Sequence, residues 1–220
     1  MIKVLELFSG TRSIGKCCDA LGWTSISVDM IMDATHKCDI MDFDYKQYPK
    51  DYFDIVWASP PCTSFSLLQG SWIGRCKRVD GVLVEFTEDQ RQKDMIEGDK
   101  IVKKTLEIIN YFKCEYWFVE NPQSGKLKDR DYMRDLPYYD VDYCKYSDWG
   151  YRKRTRIWTN KKDFNNLMCL KDCGYTIDGK HVNNLGNDVF KQDGKRVSKN
   201  YSQTQKYRIP EDLIYSLFLD

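Results

Sequence analysis

Residues 51–66 read DYFDIVWASPPCTSFS, and the way this stretch must fold decides the rest. Its middle, FDIVWA, is an unbroken apolar run of strand length, rich in β-branched and aromatic residues, which predicts a buried strand of an α/β sheet. Ser59, Pro60, Pro61 and Cys62 follow at once. Two consecutive prolines can neither continue a ladder nor enter a helix interior, so the chain leaves the sheet in a rigid, φ-restricted loop. Cys62 therefore stands at the carboxyl end of a strand, where open α/β sheets gather ligands and chemistry. Free cysteine is also among the most buried residue types, so a packed thiol is the plain alternative at this position.

Toward the N-terminus, residues 1–8 predict a first strand, IKVLELF, running into Ser9-Gly10-Thr11-Arg12-Ser13-Ile14-Gly15 and a helical stretch to Leu21. A strand, a glycine turn and a helix together leave free backbone N–H groups and the positive end of a helix dipole at the binding edge. A second strand, TSISVD, ends at Asp29, about 20 residues after the turn, where an acid of a βαβ unit either accepts hydrogen bonds from a ribose diol or caps a turn. Asp39, just before Ile40, closes a short third element near the same rim, an acid and an apolar residue placed to flank an adenine.

Toward the C-terminus, residues 67–97 are polar and poorly periodic, which predicts a mobile functional loop directly after the cysteine. Residues 99–112 have helical spacing of apolar positions. CEYWFVENP, residues 114–122, then repeats the opening pattern: an apolar strand ends in Glu120-Asn121-Pro122, a carboxylate at a buried strand end and so suited to acid chemistry. Arg152, Lys153, Arg154, Arg156, Lys161 and Lys162 crowd the next stretch beside Tyr151 and Trp158. Strand alternation puts Arg154 and Arg156 on one face, and the cluster is either a solvated charge run or a phosphate-contacting surface. Residues 163–205 form a loop-dominated segment, and 207–220 a closing helix opened by Pro210 with Glu211 and Asp212 in its first turn.

A chain of 220 residues suits one α/β domain with a small appendage, and a net charge of +1 excludes a strongly basic, histone-like binder. Any nucleic-acid site must be a local patch. The nine cysteines include no CxxC and are odd in number, poor material for a disulfide framework. With no signal-peptide pattern and no apolar run long enough for a bilayer, the expectation is an intracellular protein, in cytoplasm, nucleus or viral factory, with no membrane partner. Cys169, Cys173 and His181 are metal-ligand types in a loop-rich segment, but three ligands are one short of a structural zinc site unless Cys144 swings in. No metal site is expected.

Phe8-Ser9-Gly10, Asp29, Asp39-Ile40, Pro61-Cys62 with Ser66 four residues on, Glu120-Asn121 and Arg154-Thr155-Arg156 occur in the order and at the strand ends used by DNA (cytosine-5) methyltransferases, which the chain resembles over residues 1–160. Its compact form resembles the short enzymes of phages and large viruses. The resemblance implies an α/β, Rossmann-like S-adenosylmethionine-dependent methyltransferase fold: a mixed, mostly parallel sheet with helices on both faces and a small loop-rich C-terminal region. Residues 1–160 would be the catalytic core, 161–205 a small target-recognition-like subdomain and 206–220 a C-terminal helix. It further implies Cys62 as covalent nucleophile, Glu120 as the acid at ring nitrogen 3 of cytosine, and Arg154 and Arg156 as electrostatic partners of base and phosphate. Phe8, Ser9, Gly10, Thr11, Asp29, Met30, Asp39, Ile40 and Pro60 would line the S-adenosylmethionine site. Ser66, Asn121, Arg152 and Lys153 would contact DNA, and the segment through Gln69, Ser71 and Trp72 would close behind a flipped base.

Some positions depart from the family pattern. Arg12 replaces the second glycine of the cofactor turn, Pro122 follows Glu-Asn where valine is common, and Arg152 stands where a glutamine is usual before Arg-x-Arg. The C-terminal glycine-asparagine motif has only an echo in Leu185-Gly186-Asn187-Asp188-Val189. Two other function classes compete. An exocyclic amino-methyltransferase would carry an aromatic residue after the prolines, where Cys62 stands, and a catalytically inactive nucleic-acid-binding relative would lack some of the catalytic residue types, all of which are present. RNA is a further alternative substrate, because a flipped cytosine looks nearly the same in either polymer.

Overall fold

Alternation along the strands decides which helix covers which face of the sheet. In the computed structural model, which describes residues 1–79, 81–183, 185, 189–192, 195–198 and 201–219, the chain runs β1 (Lys3–Leu7), α1 (Ser13–Leu21), β2 (Thr24–Asp29), β3 (His36–Lys37), β4 (Ile55–Ala58), β5 (Cys76–Val79), β6 (Val82–Glu85), α2 (Glu88–Tyr111) and β7 (Tyr116–Pro122). It continues through α3 (Asp131–Arg134), β8 (Tyr138–Asp142), β9 (Arg154–Thr159), β10 (Thr176–Ile177), β11 (Lys180–His181), β12 (Val189–Gln192), β13 (Lys195–Ser198), α4 (Gln203–Tyr207) and α5 (Glu211–Leu219). Seven strands make one sheet in the order β3-β2-β1-β4-β7-β9-β8. The first five run parallel, and β9 is antiparallel to both β7 and β8.

On one face Val4, Ile55, Trp57, Phe118, Val141 and Ile157 pack with Ile14, Cys17 and Cys18 of α1 and with Leu213, Ile214, Leu217 and Phe218 of α5. On the other, Leu5, Leu7, Val28, Val56, Ala58, Val119 and Trp158 meet Met95, Val102, Ile108 and Ile109 of α2. The IVWA run is apolar throughout because β4 is covered on both sides; each such large side chain stabilises the fold by about 1.5–3 kcal/mol. The expected mixed, mostly parallel α/β sheet with helices on both faces is the architecture found.

Residues 67–97 depart from the expected irregular loop. Leu67–Trp72 forms a 3-10 helix, β5 and β6 pair as an antiparallel hairpin, and α2 starts at Glu88 rather than near residue 99. The region after β9 is loop-rich, with two short hairpins, β10–β11 and β12–β13. Residues 186–188 of the glycine-asparagine echo lie outside the described residues. The nine cysteines are free thiols. Among the described residues no helix is long and apolar enough to cross a membrane.

Candidate active site at the carboxyl rim

The loop after β4 is pinned from several sides. Ser59 N–H donates to the Leu7 carbonyl at 3.2 Å, and Asn121 Nδ2 donates to the Pro60 carbonyl at 2.9 Å inside the protein. Asn121 thus joins the end of β7 to the proline loop. Phe65 N–H closes a 3-10 turn onto the Cys62 carbonyl at 3.1 Å, and its ring is buried in the core beneath α2. Ser66 Oγ accepts from Leu68 N–H at 3.2 Å, so this serine caps the following 3-10 helix. Gln69 is buried, Ser71 Oγ donates to the Leu68 carbonyl, and Trp72 stands edge-on to Phe86.

Parallel pairing sets Ala58, the last residue of β4, opposite Val119 of β7, and β7 continues through Glu120, Asn121 and Pro122 beside the proline loop. Glu120, 6% exposed, accepts a hydrogen bond from the Tyr143 hydroxyl at 3.1 Å, and Lys153 Nζ lies 3.6 Å from the same Oε1. Lys153 also rests over the Tyr143 ring and donates to the Lys206 carbonyl at 3.4 Å, which brings α4 to the edge of the site. Burial pushes the Cys62 thiol above the ordinary cysteine range, the Glu120 carboxylate pushes it further, and the Lys153 ammonium pulls it down. Cys62, Glu120 and Lys153 therefore lie within electrostatic reach of one another.

The second half of the rim is the turn after β1. Phe8, Gly10 and Arg12 all have positive φ, at 60°, 48° and 56°, a backbone that a side-chain-bearing residue adopts at a cost. Gly10 N–H donates to Asp29 Oδ2 at 2.9 Å, while Ile31 and Met32 N–H both donate to Asp29 Oδ1 at 2.8 Å. Asp39 Oδ1 accepts from Met41 N–H at 2.9 Å. Ile40 is buried in the core and Met30 is exposed. Thr11 Oγ1 pairs with Ser13 Oγ at 3.0 Å, and Ser9 Oγ is buried with no hydrogen-bond partner among the described residues. A buried hydroxyl without a partner, a left-handed glycine turn at a helix N-terminus and two acids at strand ends make a donor and acceptor set that fits the amino-acid and ribose ends of S-adenosylmethionine.

Glu6 escaped the sequence reading. It is 3% exposed and accepts from Ile14 N–H at 3.1 Å and Gly15 N–H at 3.0 Å, so it caps α1 from inside β1. Burial raises its pKa to about 7 against the pull of those two amides and of Arg12. An acid two residues before a glycine turn is the signal that could have found it.

Arg154 and Arg156 are not brought to this pocket. Arg154 forms a two-pronged ion pair with Asp142 at 3.0 and 2.8 Å, and Arg156 does the same with Asp140 at 2.7 and 2.8 Å while stacking 3.5 Å from the Tyr138 ring centre. The physical reason is the pleat: Arg156 stands opposite Asn121 and Asp140, whereas Glu120 stands opposite Ile157, so arginines and glutamate point to opposite faces. The even-numbered residues of β9 face α2, and Lys153 takes the site side. Arg152 is exposed, and Lys161 is buried under the Tyr116 ring rather than free for phosphate.

The fourth ligand type is also present. Cys144 lies with Cys169, Cys173 and His181, their ligand atoms all within 4.8 Å of one another. The expectation of no metal site rested on three ligands, and that ground is gone.

No family model matches the chain. It is similar to a protein of Frog virus 3 (isolate Goorha), "Probable DNA (cytosine-5)-methyltransferase", with 36% identity over 220 residues, 98% of each chain. Among solved structures, the Entamoeba histolytica methyltransferase EhMeth superposes on 77% of this chain with a TM-score of 0.47 and 15% identity. The S. pombe Dnmt2 methyltransferase superposes on 78% with a TM-score of 0.40 and 13% identity. The aligned part spans only 56% and 52% of those two chains.

Proposed function

Because the chain belongs to the DNA (cytosine-5)-methyltransferase family, we propose that it transfers a methyl group from S-adenosylmethionine to carbon 5 of a cytosine flipped out of DNA, with Cys62 as covalent nucleophile. The observation that carries this reading is the pairing of buried Glu120 with Lys153 at 3.6 Å, Glu120 being next in the chain to Asn121, which is hydrogen-bonded at 2.9 Å to the proline loop that carries Cys62. Carbon 5 of cytosine is a poor nucleophile. The Cys62 thiolate adds to carbon 6 while Glu120 gives a proton or hydrogen bond to ring nitrogen 3, and the electron pair displaced from the carbon 5–carbon 6 double bond makes carbon 5 nucleophilic. Bound at the rim, S-adenosylmethionine would supply the electrophilic methyl group that carbon 5 takes up. Loss of the carbon 5 proton to water re-forms the double bond and expels the Cys62 sulfur as thiolate, and any proton taken by ring nitrogen 3 returns to Glu120.

The resemblance implied Arg154 and Arg156 as electrostatic partners of base and phosphate; beside Cys62 it is Lys153 whose ammonium favours the thiolate form. Tyr143 orients Glu120 by its hydrogen bond, and Asn121 positions the proline loop. Phe8, Ser9, Gly10, Thr11, Asp29, Met30, Asp39, Ile40 and Pro60 would hold the cofactor. Carbon 6 is out of reach inside a duplex, so the base leaves the stack, and the segment through Gln69, Ser71 and Trp72 would close behind it.

The test is trapping. Incubation with S-adenosylmethionine and DNA containing 5-fluorocytosine should leave an adduct that survives denaturation, because fluorine cannot leave as the proton does. Cys62→Ser should form none, and Glu120→Gln should form it far more slowly. Methylation of ordinary cytosine without trapping, label on the exocyclic amine, or normal turnover by Cys62→Ala would each overturn the mechanism. RNA of the same sequence, run in parallel, identifies the polymer.

A further inference from the structure

Cys144 ends up in the short turn Tyr143–Lys145 that follows β8, Cys169 and Cys173 lie in the irregular segment before β10, and His181 closes β11. The tight β10–β11 hairpin, with Asp178 and Gly179 both at positive φ, folds His181 back beside Cys173. His181 Nε2 is 3.4 Å from Cys173 Sγ and 3.5 Å from Cys169 Sγ. A tetrahedral zinc with bonds of about 2.3 Å to sulfur and about 2.0 Å to nitrogen requires sulfur–nitrogen edges of about 3.5 Å. The edges match. Lys171 N–H points at Cys169 Sγ from 3.3 Å, the kind of donor that steadies a thiolate, and no disulfide consumes any of the three sulfurs.

The surrounding segment needs such a staple. Between residues 161 and 183 only Phe164 and Cys169 are buried apolar residues, while Leu170 and Ile177 are 84% and 68% exposed. A stretch with so little core of its own is held by cross-links or a metal.

We propose that Cys144, Cys169, Cys173 and His181 bind one Zn²⁺ as a closed, four-ligand structural site. Three sulfurs and an imidazole select a borderline-soft, tetrahedral ion, and four protein ligands leave no open position for catalysis. The metal ties the 163–183 segment to the end of β8. Cys169 N–H already donates to the wholly buried Asp142 at 2.9 Å, and Tyr143, neighbour of Cys144, carries the hydrogen bond to Glu120.

The site is tested without reference to methyl transfer. Full-length protein prepared without chelator or added metal should contain one zinc per chain by elemental analysis. Exchange into Co²⁺ should give the visible bands of a tetrahedral ion and the near-ultraviolet bands of thiolate ligation. Cys173→Ser should lose the metal, His181→Cys should keep it with stronger thiolate bands, and Cys76→Ser, remote on the β5–β6 hairpin, should match wild type. Should Cys173→Ser fail to fold, wild type and His181→Cys decide alone. Wild-type protein with no zinc that also takes up Co²⁺ without thiolate bands would overturn the proposal, as would full zinc content in a folded Cys173→Ser variant.

Discussion

Glu6 is committed to two backbone amides at the start of α1, yet it sits where a charge is costly. Its pKa rises from 4.5 to about 7 on folding, chiefly through burial. Between those values the unfolded chain is ionised while the folded chain holds a proton, so the group's contribution to stability falls as pH rises from 4.5 to 7 and levels off above. Glu6→Gln has no proton to lose; it should give up one amide acceptor, at about 1 kcal/mol, and the wild-type advantage in urea midpoint should shrink across that window. Parallel pH profiles for the two proteins would show that Glu6 keeps an ordinary pKa. Lys153 makes the complementary case. Its ammonium opposes burial and Glu120 at the Cys62 thiol, so Lys153→Met should move the pH profile of Cys62 alkylation by iodoacetamide, followed on the peptide by mass spectrometry, to higher pH. An unmoved profile would remove Lys153 from the site. At this scale the places of Cys62, Glu120 and Asn121 were legible because each comes shortly after an apolar run, Cys62 past the end of β4 and the other two in the last residues of β7. Glu6 and Tyr143 were not, since their roles come from hydrogen bonds to residues distant in the chain or across a turn.

Helix α2 carries the Cys62 turn on its back. A Cβ added at Gly98 would lie 2.7 Å from Ser64 Cβ and 3.0 Å from Phe65 Cζ, so this glycine is what lets the turn approach the helix. Gly98→Ala gains helix propensity, but the clash is with short, packed groups, and overpacking of this kind costs about 1–3 kcal/mol. The expected outcome is lower stability in urea together with slower 5-fluorocytosine trapping, because the displaced turn begins at Cys62. A variant as stable and as reactive as wild type would show the turn to be free of the helix. The first turns of α2 escaped the periodicity reading because they are almost entirely charged or polar. The signal was there in another form: Thr87 Oγ1 accepts from Gln90 N–H at 3.1 Å, with Glu88 and Asp89 in the first turn, a helix start written in capping residues. Asp99, expected to begin the helix, lies within it and binds Arg130 and the Tyr132 hydroxyl, fastening α2 to the segment beyond β7.

Across the whole molecule, the parallel half of the sheet was readable because each buried strand declares itself by composition and its end by the residues that stop it. The antiparallel half was not. Which way Arg154 and Arg156 point depends on register against β7 and β8, and local alternation says only that they share a face. Once Asp140 and Asp142 are seen opposite them, both arginines become parts of the scaffold, linking β8, β9 and the Cys169 loop. Asp142 is fully buried and accepts from both Arg154 nitrogens and from Cys169 N–H. Arg154→Ala leaves that carboxylate buried without its cation, a loss of about 3 kcal/mol, and adding Asp142→Asn should recover part of it, the non-additivity that marks a direct pair. Turnover per folded molecule should stay within a few-fold of wild type in Arg154→Ala. Lys153→Met also strips a buried carboxylate, Glu120, of its cation and should lower the urea midpoint too, but it should add a large loss in trapping rate per folded molecule that Arg154→Ala does not show. If instead Arg154→Ala keeps its stability and loses turnover, the arginine reaches the substrate as the sequence pattern implied, and the register of β9 in the working enzyme differs by one residue from the one described here.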